Sequence, residues 1–163
     1  MTAPKSCGDC TLCCTALAIE TRALRKQPGV ACAYLAAKGC GIYETRFAIC
    51  RTYFCGWFGL DELDEDWRPD RSGVLISPQG DGIEFLVLGG EAAIRWPAFT
   101  ALLAKLLASG TPVFVAVPGP VGRYPARVSL NEKLHGAPPA ALGGALASLL
   151  RAAKGHRFEP MPR

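Results

Sequence analysis

The sequence predicts an α+β fold in which a cysteine-rich N-terminal half packs on a small α+β half of about four strands and two helices. Three observations carry that expectation. All eight cysteines lie between Cys7 and Cys55, and none follows in the rest of the 163-residue chain. Strand and helix patterns alternate after residue 72, and an acidic, turn-prone stretch separates the two regions. The expected organisation is residues 1–60 as a cysteine-cluster module, 61–71 as an acidic linker and 72–163 as the α+β module.

Length allows one domain, or one domain with a small module, and excludes a large multidomain machine. Half the residues are hydrophobic and 20% are charged, so a core is available and global disorder is excluded. No run of about 20 apolar residues exists, because the richest stretch, residues 96–108, contains Pro97 and Lys105. No membrane span is expected. The start of the chain has no apolar block behind Lys5, so a secretory signal is not expected and a cytoplasmic location is. In a reducing compartment, clustered cysteines read as metal ligands or redox thiols before disulfides.

The first cysteine group is Cys7-Gly-Asp-Cys10-Thr-Leu-Cys13-Cys14. Two cysteines separated by two residues can turn both sulfurs to one metal while the intervening N–H groups point at the thiolates. Gly8 permits the tight turn. On a helical continuation, Cys13 and Cys14 diverge, so these neighbours are expected to serve different sites or different irons. The second group is Cys32, Cys40, Cys50 and Cys55. Eight thiols suffice for two tetrahedral sites or two cubane clusters, so the N-terminal half is expected to be organised by metal. His135 and His156 are not needed as ligands and read as surface residues.

Charge agrees with this reading. Residues 1–60 hold seven Lys/Arg against three Asp/Glu, which accounts for the whole formal net charge of +4. Eight thiolates would be offset in full by two divalent ions together with those four surplus cations. The basic residues are therefore read as counter-charge, and nucleic acid is not expected as a partner.

The CxxCxxCC run, then Cys-Gly-Ile-Tyr-Glu-Thr-Arg from Cys40, then Cys50-Arg-Thr-Tyr-Phe-Cys55, resembles the YkgJ-type cysteine-cluster family, described as a zinc- or iron-chelating domain. The resemblance covers roughly residues 5–58. One departure is Phe47, where the family usually has proline. The resemblance implies metal binding through the eight cysteines and supplies no reaction for the small stand-alone members. Thiolate ligation suits both zinc and iron–sulfur chemistry. The C-x2-C-x2-C run with a remote fourth cysteine leans towards an iron–sulfur cluster. Tyr43, Glu44, Arg46 and Arg51 are the candidate cofactor-binding residues around the cysteines, offsetting and tuning thiolate charge. Tyr53, Phe54, Trp57 and Phe58 are expected to wrap the site in an apolar coat.

Residues 61–71 carry six carboxylates and Pro69, and read as a solvated boundary without EF-hand spacing. Residues 73–77 and 83–88 read as a hairpin, and 91–109 as a helix whose regular part starts at Pro97. A buried strand over 111–117, a short strand over 127–131 and an alanine-rich helix over 138–154 complete the module. No phosphate loop, nucleophile elbow or HExxH helix is present. The function expected is a cytoplasmic metal-binding protein holding one or two iron–sulfur or zinc centres. The alternatives are an iron–sulfur enzyme or electron-transfer protein, and a zinc-stabilised adaptor or metal-delivery protein with a protein partner.

Overall fold

The computed structural model describes residues 5–155 and 158–162. Its architecture is mixed α and β. The cysteine-bearing half is made of short elements: α1 (Leu12–Ala16), the paired strands β1 (Ile19–Glu20) and β2 (Arg25–Lys26), the hairpin β3 (Leu35–Ala36) and β4 (Gly39–Cys40), then α2 (Ala48–Thr52) and α3 (Gly56–Gly59). Segments this short cannot hold themselves in shape by propensity, so tertiary contacts fix them.

The second half opens with α4 (Pro69–Ser72), which leads into β5 (Val74–Gln79) and β6 (Gly82–Val87). Helices α5 (Gly90–Ile94) and α6 (Pro97–Ala108) carry the chain back to β7 (Val113–Val117). Strand β8 (Ala126–Ser129), α7 (Asn131–Leu134) and α8 (Pro139–Lys154) follow. The four strands form one sheet in the order β5-β6-β7-β8. The hairpin pairs are antiparallel, whereas β6 and β7 are parallel because a helical crossover joins them. Ile76 stands opposite Phe85, Phe85 opposite Val115, and Val115 opposite Val128.

Sequence reasoning placed these strands and both long helices within a few residues. The expected helix over 91–109 is in fact two, since Pro97 cannot continue a helix from residue 93 and instead begins α6 at its first position. Pro139 starts α8 in the same way.

Strands β5, β6 and β7 contain consecutive buried residues such as Val74-Leu75-Ile76 and Phe85-Leu86-Val87. Side chains alternate across a strand, so both faces of this sheet are covered. On one face, Val74, Ile76, Phe85 and Val115 meet Phe99 and Leu103 of α6 and Leu142 and Leu146 of α8. On the other face, Leu75, Leu86 and Ala116 meet Leu12, Cys13, Ala16 and Leu17. Helix α1 and its flanks therefore pack on the middle of the second face of the sheet, whereas Cys55, Trp57 and Leu60 pack with the main core.

The acidic segment 61–71 is not solvated throughout. Leu63 and Trp67 are buried in the main core. The Trp67 ring lies 4.5 Å from that of Trp96 and 6.4 Å from that of Phe99. A 3-10 turn at Glu65–Trp67, capped by Asp64 accepting from the Asp66 N–H, turns the carboxylates outward and the indole inward. Among the described residues, no helix is long and apolar enough to cross a membrane.

Candidate metal centre

The first cysteines form a turn in which the Cys10 N–H donates to the Cys7 carbonyl at 2.9 Å. Gly8 takes the left-handed backbone conformation this turn needs, at φ +54°. The tip of the β3–β4 hairpin presses onto the same turn. A Cβ at Gly39, whose φ is +90°, would sit 2.5 Å from the Gly8 carbonyl oxygen, so only glycine allows that approach. Asp9 in the turn is tied to the second half by Arg68, which donates to it at 3.0 Å and to both Asp70 oxygens at 2.7 and 2.6 Å. The Arg68 guanidinium holds the Asp70 carboxyl below its ordinary range.

Cys13 and Cys14 lie on α1, where successive residues point about 100° apart. Cys13 packs against the Leu75, Leu86 and Ala116 face of the sheet. The Cys14 carbonyl accepts from the Cys32 N–H at 3.0 Å, drawing in the loop that carries Cys32. Beyond it the Leu35 N–H donates to the Cys32 carbonyl at 3.0 Å, and Leu35 pairs with Cys40 across the hairpin. Cys50 sits on α2, and Cys55 precedes the first turn of α3.

All eight cysteines are free and all are partly buried. The hydrogen bond between the Cys13 and Cys14 thiols raises the pKa of Cys13 and lowers that of Cys14. Burial pushes Cys10, Cys50 and Cys55 up. Negative charge on neighbouring sulfurs adds to this: Cys7 acts on Cys55, while Cys14, Cys32 and Cys40 act on Cys50. The thiols thus lie within electrostatic reach of one another. Among the described residues, no three His, Cys, Asp or Glu side chains converge as they stand into a group that could hold a metal ion.

Two cations lie beside sulfurs of both groups. Lys26 is only 5% exposed and its ammonium donates to the carbonyls of Thr15, Gln27 and Val30 at 3.0, 3.1 and 2.7 Å. Burial draws its pKa down, and charge on Cys32, Cys14 and Cys13 opposes that. Arg46 lies 3.7 Å over the Tyr43 ring, donates to the Tyr43 carbonyl at 2.8 Å, and favours charge on Cys14 and Cys50. Tyr43 is held up in pKa chiefly by charge on Cys7. Arg51 donates to the Arg46 carbonyl. Glu44 is exposed, and Arg46 stacks on Tyr43 rather than pairing with it.

The aromatic residues divide. Tyr53 is half-buried beside Cys55, Cys13 and Glu84, and its buried hydroxyl has no hydrogen-bond partner among the described residues. Trp57 turns into the main core, donating to the Asp64 carbonyl at 2.9 Å. Phe54 and Phe58 stay exposed, so they do not coat a site. The apolar positions of α3 are drawn to the sheet core because β5 lies directly beneath Gly56. His135 is exposed, and His156 lies outside the described residues.

The donor chemistry suits a thiophilic ion. Partly buried sulfurs, an ammonium beside Cys32, Cys14 and Cys13, a guanidinium beside Cys14, and a hydroxyl able to donate to a thiolate make up the donor set. Sequence reasoning counted Lys26 only as one of seven basic residues read together as counter-charge. Its charge sits between Arg25 and Gln27 with no apolar periodicity to mark it as buried. No family model, curated protein or solved structure matches this chain.

Proposed function

We propose that this is a cytoplasmic metal-binding protein of the YkgJ-type cysteine-cluster kind, holding one or two iron–sulfur or zinc centres through Cys7, Cys10, Cys13, Cys14, Cys32, Cys40, Cys50 and Cys55. One observation carries the reading: eight free, partly buried thiols lie on six separate short segments of one half of the chain, with the buried Lys26 beside Cys32, Cys14 and Cys13. The charges of Lys26 and Arg46 favour the thiolate of Cys14, and thiolates are the form that binds metal. Iron–sulfur is the preferred occupant, on the C-x2-C-x2-C run. Such a centre supplies one-electron transfer, and zinc in the same place supplies a structural knot. Tyr43, Arg46 and Arg51 order the turn entering α2, and Lys26 orders the loop between Cys14 and Cys32.

The test is hydrogen exchange on the whole chain before and after metal is removed with a chelator under anaerobic, reducing conditions. Residues 7–55 lack long helices and wide strands, so their amides are expected to lose protection on metal removal while those of β5, β6 and β7 keep it. Equal protection of residues 7–55 in both states would reject the proposal.

A further inference from the structure

We propose that residues 158–162 act as a strap that fastens the loop after β7 to the cysteine-bearing half, and that release of this strap opens the joint between α1 and the sheet. The inference is independent of the metal-binding reading, because it uses no sulfur atom.

The joint is built from three pieces of chain that meet around a cavity. An apolar space of about 220 Å³ is walled by Leu12 and Ala16 of α1, by Pro28 and Gly29, and by Pro118 and Pro125. The Gly29 N–H donates to the Ala16 carbonyl at 3.3 Å, and the Gly122 N–H donates to the Pro28 carbonyl at 2.9 Å. The turn at residues 27–30 is thus tied to α1 on one side and to the loop after β7 on the other. Each tie is a single backbone hydrogen bond, which contributes modestly in water, so the seam is thin. Further along the same turn, the Cys32 N–H donates to the Cys14 carbonyl, so loosening of the turn is passed to the loop that follows it.

Residues 158–162 reinforce that seam from outside and hold both of its sides. Pro160 bridges Arg123 in antiparallel fashion, the Tyr124 N–H donates to the Glu159 carbonyl at 2.9 Å, and the Met161 N–H donates to the Gly122 carbonyl at 2.9 Å. The Arg123 guanidinium donates to the Phe158 carbonyl at 2.8 Å. Across the seam, Arg25 on β2 donates to the Pro162 carbonyl. Two side chains seat the segment. Met161 is only 4% exposed, and the Phe158 ring lies on Gly119 so closely that a Cβ there would stand 2.8 Å from it. Glu159, Pro160 and Pro162 are exposed. A segment with one fully buried anchor and hydrogen bonds near solvent opens at lower cost than the core, which makes it a strap rather than a strand of the sheet.

The experiment is amide hydrogen exchange, read residue by residue, on the full chain, on a variant lacking residues 158–163 and on full-length Met161→Asp, all at matched metal content. Met161→Asp puts a charge at the buried anchor of the strap. Both variants are expected to exchange at least about tenfold faster at Gly122, Gly29 and Cys32, as the loss of two or three net-weak hydrogen bonds allows. The amides of β6 and β7 should keep their wild-type protection. So should Cys50, whose N–H donates to the Phe47 carbonyl and has no tie to the strap. Wild-type rates at Gly122, Gly29 and Cys32 in both variants overturn the proposal. Loss of protection through β6 and β7 in both variants also overturns it, since the segment would then belong to the core. If the deletion alone loses β6 and β7, Met161→Asp decides by the same amides.

Discussion

Lys26 shows how a single residue ties the site to the fold. A buried ammonium is costly unless its protons are all used, and here three carbonyls of the α1-to-Cys32 loop accept them. The same charge lies beside Cys14 and Cys32, so the side chain both closes the loop and favours thiolates. Lys26→Met keeps the length and removes the donors. The three carbonyls then lose their partner, and the expected loss of stability is about 2–3 kcal/mol, read as a lower urea midpoint. A change below about 0.5 kcal/mol would place the lysine among ordinary surface cations. The cysteines themselves were legible, since their number, spacing and confinement to one half of the chain are linear facts. Lys26 was not, because burial of a charge arises only when distant loops meet around it. Nor was the fate of Trp57, whose neighbours Phe54 and Phe58 are exposed while it is 3% exposed in the core.

At the scale of the element, the strands and long helices of the second half were readable because each carries its own pattern. Val113–Val117 is a continuous apolar run, and α6 and α8 place leucines on one side. The short cysteine-bearing elements carry no such pattern, so their partner, the second sheet face, could not be read from sequence. Helix α3 illustrates the dependence. A Cβ on Gly56 would lie 2.6 Å from Cβ and Cγ2 of Ile76, so this four-residue helix sits closer to β5 than any other residue would permit. Gly56→Ala is expected to lift α3 from the strand, costing about 1–3 kcal/mol of stability. A urea midpoint unchanged from that of the wild-type chain would show that α3 does not depend on this close approach.

For the whole molecule, one sheet joins two kinds of stability. Its first face is sealed by α6 and α8 through fully buried Phe99, Leu103, Leu142 and Leu146, a hydrophobic core of ordinary kind. Its second face is covered by α1 and its flanks, part of a half whose elements run two to five residues. The acidic segment expected to part these regions is drawn into the first by Trp67 and Leu63, because burying two large apolar side chains outweighs leaving a short stretch in water. The proposal that thiolate-bound metal organises the cysteine-rich half is tested by anaerobic purification with iron, zinc and sulfide analysis and an absorption spectrum on the same sample. The expected result is iron with matching sulfide and absorbance near about 400 nm, or about two zinc per chain without colour, in either case with the thiols withheld from titration until the metal is removed. Folded protein that carries only traces of metal while all eight thiols titrate freely would contradict it.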